Sequence, residues 1–77
     1  MTAIEDTVIQ IVATHFQVDI SKPTLDAVLV DDLGADSLDA IELILLVEND
    51  FSIEVFDHEI ERVHTVQDIV NLVNNKV

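Results

Sequence analysis

Asp36-Ser37-Leu38-Asp39-Ala40-Ile41-Glu42-Leu43-Ile44-Leu45-Leu46-Val47-Glu48-Asn49-Asp50-Phe51 is the stretch that decides the fold. It holds neither proline nor glycine, and its apolar residues recur at intervals of three and four, which predicts a helix over 37–51. At ~100° per residue, Ala40, Leu43, Ile44, Val47 and Phe51 share an arc of about 100°, an ordinary core stripe. Leu38, Ile41 and Leu45 form a second arc of about 60°, centred roughly 140° away. Glu42 and Glu48 flank this second stripe, and Asp39 lies farther round. A small bundle cannot easily bury both arcs. Either the segment 17–36 or the segment 53–56 covers the second one, or it stays open as an apolar docking stripe edged with carboxylates. Leu38, in the first turn, is expected to be exposed, whereas Ile41 fits either reading.

Immediately upstream stand Leu33, Gly34 and Ala35, with Gly34 the chain's one glycine. Gly34 gives the backbone room to turn, and Asp36 suits the N-cap because its carboxylate can accept first-turn N–H groups. Ser37 then becomes the first helical residue, with its hydroxyl at the positive end of a helix. Unpaired N–H groups and the helix dipole favour an anion there, so Ser37 is well placed to carry a phosphate ester. The same local grammar also allows Ser37 itself to be the cap. A nucleophilic serine needs a general base, and His15, His58 and His64 stand in no evident acid-plus-oxyanion context, so a catalytic role is not expected. Asp31, Asp32, Asp36 and Asp39 crowd one region without the ligand spacing of a calcium loop, so no dedicated metal site is expected.

Farther out, Thr2-Ala3-Ile4-Glu5 is a capping-box signature, and Ile4, Val8, Ile11 and Val12 continue it as a helix ending near His15 or Phe16. Residues 17 to about 36 contain Pro23 and read as a long loop, pinned to the core by apolar residues such as Leu25, Leu29 and Leu33. Val28-Leu29-Val30 has strand character, but no second strand pattern exists to pair it. A short helix is expected at Asp57–Glu61, capped by Asp57. Thr65-Val66-Gln67-Asp68 starts a last helix, with Val66, Ile69, Val70 and Val73 as its apolar stripe. The expected fold is all-α: a small helical bundle of three main helices plus one short helix, with a long loop between helices one and two, forming one domain over residues 1–77.

Sixteen acids against Lys22, Arg62 and Lys76 give a net charge of -13. Nucleic acid and anionic membranes are repelled by such a surface, whereas basic patches on other proteins are steered toward it. With no cysteine in the chain, any thiol chemistry needs an imported thiol. The longest apolar run, Leu43 to Val47, is far short of the roughly 20 residues that span a bilayer, so no membrane insertion is expected. Glu5 and Asp6 do not suit a signal peptide, and a cytoplasmic protein is the default.

The run Asp31-Asp32-Leu33-Gly34-Ala35-Asp36-Ser37-Leu38-Asp39, followed by Glu42-Leu43, resembles the acyl carrier protein family of discrete fatty-acid and polyketide carriers. The likeness extends to chain length, helix spacing, acidity, Phe51 and the Thr65-Val66-Gln67 start. It implies that Ser37 carries 4'-phosphopantetheine, donated from coenzyme A by a phosphopantetheinyl transferase, with acyl cargo held as a thioester on the terminal thiol. It implies that Asp36, Leu38, Asp39, Ile41, Glu42, Leu45, Glu48 and Val55 meet basic docking patches on acyl synthases, reductases and transferases, with the carrier acting as a monomer. It further implies an acyl pocket, for which Leu43, Leu46, Val47, Ile60 and Val63 are the expected lining. Phe56, Leu46, Asn49 and His64 depart from the usual fatty-acid pattern and suggest a second, specialised carrier beside the general one. The alternatives are a peptidyl or aminoacyl carrier, and an unmodified acidic adaptor for basic partners.

Overall fold

The computed structural model describes residues 2–77. They form five helices: α1 (Ala3–Phe16), α2 (Leu29–Leu33), α3 (Ser37–Phe51), α4 (Asp57–Ile60) and α5 (Val66–Lys76). Three begin with reciprocal side-chain caps. In α1, Thr2 Oγ1 accepts the Glu5 N–H at 3.1 Å while Glu5 Oε1 accepts the Thr2 N–H at 2.7 Å. Thr65 and Asp68 repeat the arrangement at α5, at 3.1 and 3.0 Å. Both threonines therefore fix where a helix begins, as the sequence pattern predicts.

The core forms where α1 packs on α3 and α5. Val8 and Val12 of α1, Leu43, Ile44 and Val47 of α3, and Val66, Ile69, Val70 and Val73 of α5 are all essentially inaccessible to solvent. The body measures 27 × 27 × 18 Å. With helix axes about 8–10 Å apart and Cα atoms about 2.3 Å from each axis, a Cα extent of 18 Å holds two helix layers and not three. Each long helix must leave one side in solvent. Among the described residues, no helix is long and apolar enough to cross a membrane.

The segment between α1 and α3 differs from the expected plain loop. It contains α2, and Val28 makes an isolated antiparallel bridge to Thr65. The bridge is short: the Val66 N–H donates to the Ala27 carbonyl at 3.1 Å, and the Leu29 N–H donates to the His64 carbonyl at 2.9 Å. Asp32 then accepts the Val28 N–H at 2.7 Å, and Gly34 ends the helix at a left-handed φ of 70°. A five-residue helix is too short to show a 3.6-residue period, which is why hydrophobic spacing did not reveal it. Pro23, Ala27 and Leu29 are buried, so the segment is pinned as expected.

A second correction concerns α4. Its cap position is Phe56, not Asp57, and the donor left free there, the Phe56 N–H, reaches Glu59 Oε1 at 3.0 Å. Lys76 pairs with Glu59 at 3.0 Å and lies 5.3 Å from the centre of the Phe56 ring, tying α5 to α4. The Phe56 N–H and the Lys76 ammonium together hold the Glu59 carboxyl below its ordinary value.

Candidate functional site

Ser37 is exposed and is the first residue of the 15-residue α3. Asp36 Oδ1 accepts the Asp39 N–H at 2.9 Å, and Asp39 Oδ2 accepts the Asp36 N–H at 3.0 Å. Two carboxylates therefore make both bonds of the capping box. The cap is Asp36, and the Ser37 hydroxyl is left out of it. Asp39 has a second duty. Its Oδ1 lies 2.9 Å from His15 Nε2, fastening the end of α1 to the first turn of α3. The Asp36 N–H first, and then the His15 ring, hold the Asp39 carboxyl below its ordinary value.

A groove of about 570 Å³ opens beside Ser37. Val30, Ala35, Ala40, Ile41, Ile60 and Val63 give it apolar walls, and Asp36, Glu61 and His64 add polar groups. Ala35 and Ala40 stand close to Ser37 on either side in sequence, and their small side chains leave space where larger ones would fill it.

The outward stripe of α3 is uncovered. Leu38 is 62%, Ile41 45% and Leu45 59% exposed. Neither the segment 17–36 nor the segment 53–56 lies over it. Asp36 and Glu42 are exposed as well. Three residues assigned to this surface from sequence are placed otherwise. Asp39 turns toward α1, as described. Glu48 is only partly exposed, and its Oε2 accepts the Val55 N–H at 2.9 Å. Val55 itself is 8% exposed and belongs to the core. The linker 53–56 alternates its side chains, so Val55 points in and Phe56, 51% exposed, points out. The Phe56 ring faces solvent beside His58 and Lys76.

The expected pocket lining divides in the same way. Ile60 and Val63 border the groove beside Ser37. Leu43 and Val47 lie fully inside the core and do not reach it. Leu46 is 45% exposed and faces a separate, shallow depression with Thr7, Gln10, Ile11, Thr14 and Asp50. The contributions of Val30, Ala35, Ala40, Ile41, Glu61 and His64 were not foreseen.

With this geometry in place, similarity to known proteins settles the family. A family model described as the phosphopantetheine attachment site matches residues 6–73. An acyl carrier protein of Thermosynechococcus vestitus (strain NIES-2133 / IAM M-273 / BP-1) is 46% identical over 67 residues, covering 87% of this chain and 83% of that relative. The chain belongs to the acyl carrier protein family. It is a carrier and not a catalyst, it bears a covalent 4'-phosphopantetheine, and it works with a phosphopantetheinyl transferase and acyl-processing enzymes. The aminoacyl-carrier and unmodified-adaptor readings are not favoured.

The residues present suit the prosthetic group. Ser37 offers an uncommitted hydroxyl at a helix N-terminus, where an anionic ester is favoured. The groove beside it offers apolar walls to whatever the arm carries. When bound, the group supplies the thiol that this cysteine-free chain lacks.

Proposed function

We propose that Ser37 is the attachment residue. The chain is read as one monomeric carrier domain over 1–77, placed in the cytoplasm, that delivers acyl thioesters during fatty acid or related lipid synthesis. The observation that carries this reading is the Asp36–Asp39 capping box, which frees the one hydroxyl beside the groove. In the attachment step the Ser37 oxygen forms a bond to the phosphorus that bears pantetheine in coenzyme A. The pyrophosphate P–O bond breaks, adenosine 3',5'-bisphosphate leaves, and the serine proton passes to a base of the transferase.

Asp36, Leu38, Ile41, Glu42 and Leu45 form the docking surface. This grouping is supported by exposure: apolar side chains are edged by carboxylates on a chain of net charge -13, which suits basic patches on synthases, reductases and transferases. Ile60 and Val63 are the remaining members of the expected acyl lining. The departures at Phe56, Leu46, Asn49 and His64 leave a specialised pathway as the second reading.

The test is intact mass before and after incubation with coenzyme A and a transferase, with Ser37→Ala alongside. A gain of one phosphopantetheine in the native chain and none in the variant is expected. A Ser37→Ala chain that still gains the arm would overturn the assignment.

A further inference from the structure

The groove beside Ser37 has one feature that a purely apolar acyl cleft does not need. Lys22, Arg62, Lys76, His15, His58 and His64 are the chain's basic side chains, and among them only His64 lines the groove. Lys76 is committed to Glu59, and His15 to Asp39. His58 stacks on Phe56, with ring centroids 6.0 Å apart. Arg62 lies over a different depression, with Glu59 and Asp68.

His64 is held in place from both sides through its backbone. Its N–H donates to Asp68 Oδ2 at 2.9 Å, and its carbonyl accepts the Leu29 N–H at 2.9 Å. The ring makes no part of these bonds, and the residue is exposed. The fold therefore anchors an imidazole at the groove and leaves it free to act.

We propose that His64 is a binding residue for the phosphodiester formed on Ser37, pairing with it when the imidazole is protonated. This rests on Ser37 being the attachment residue. Asp36 of α3, Glu61 after α4 and Asp68 of α5 are the carboxylates around His64, and α2 contributes the uncharged Val30. A phosphodiester on Ser37 adds one more negative charge to the groove that His64 lines. Protonated His64 holds the root of the arm over the groove. Neutral His64 leaves it held by the α3 N-terminus alone, which makes release of the arm easier at higher pH.

The experiment compares the apo and the loaded chain by nuclear magnetic resonance across roughly pH 5 to 8, the window in which histidine changes charge. Loading is first confirmed by intact mass and by a peptide spanning Ser37, so failure of attachment at Ser37 is read separately from any titration. The phosphodiester does not change charge in this window, so an inflection of its phosphorus signal reports a neighbouring group. The expected result is a phosphorus inflection that tracks the His64 ring signals, with those ring signals changed by loading and the His58 ring signals unaffected. In loaded His64→Gln the phosphorus inflection is expected to vanish. A phosphorus signal that does not move in the native protein would overturn the proposal. So would an inflection that survives in His64→Gln, or equal shifts of His58 and His64.

Discussion

The two apolar faces of α3 contain similar residues and meet different fates. Leu43, Ile44 and Val47 point into the body and are 0–1% exposed, while Leu38, Ile41 and Leu45 point out and are 45–62% exposed. The difference is geometric and owes nothing to hydrophobicity. A body 18 Å thick has room for α3 to pack on α1 and α5 from one side only. The outward face is thus left in solvent, because the fold has no further layer to cover it, and under the proposed function its apolar content serves docking. One helix divides stability from recognition by angle.

The division breaks most severely at the inward face. Leu43→Ala removes a fully buried side chain and is expected to cost about 2–5 kcal/mol. In a domain of this size that lowers Tm by roughly 10 °C or more, measurable by a thermal melt followed by circular dichroism. Asp39→Ala comes next. It removes one arm of the capping box and the contact to His15, for an expected loss of stability smaller than that of Leu43→Ala. Because Asp39 faces α1, transferase kcat/KM measured well below Tm should barely change. Ile41→Gln reverses the pattern: Tm should move by no more than a few degrees, while kcat/KM falls several-fold.

Acid titration sharpens the same boundary. The folded Asp39 carboxyl lies below its ordinary value of 3.8. Its contribution to stability is therefore fully present above that value and is lost as pH falls through the lower folded pKa. Melts of the native chain and Asp39→Asn should converge over that acid range. A constant gap would contradict the assignment. The smallest effect concerns the whole surface. With a net charge of -13, added salt should raise Tm modestly by screening self-repulsion, and a flat dependence would count against it.

Much of this is legible in the amino-acid sequence. The Thr2 and Thr65 helix starts follow from cap grammar and both faces of α3 follow from its period, whereas that grammar left the α3 cap open between Asp36 and Ser37 until the Asp36–Asp39 bonds decided it. The α2 helix was not legible, because five residues show no period and the bonds that fix its start, from the Leu29 N–H to the His64 carbonyl and from the Val66 N–H to the Ala27 carbonyl, join segments far apart in sequence. Asp39 and Glu48 read as surface acids, since sequence does not show that His15 or the Val55 N–H stands within reach. The same holds for the groove. Leu43 and Val47 were expected to line it from the family resemblance, yet their stripe faces the α1 and α5 layer and the groove opens nearer the α3 N-terminus.

The most direct test of the division takes the triple variant Leu38→Gln, Ile41→Gln, Leu45→Gln and measures transferase kcat/KM, with Tm recorded on the same sample. The account predicts a loss of kcat/KM of about tenfold or more with Tm nearly unchanged. Undiminished kcat/KM, or a fall in Tm as large as that of Leu43→Ala, would contradict it.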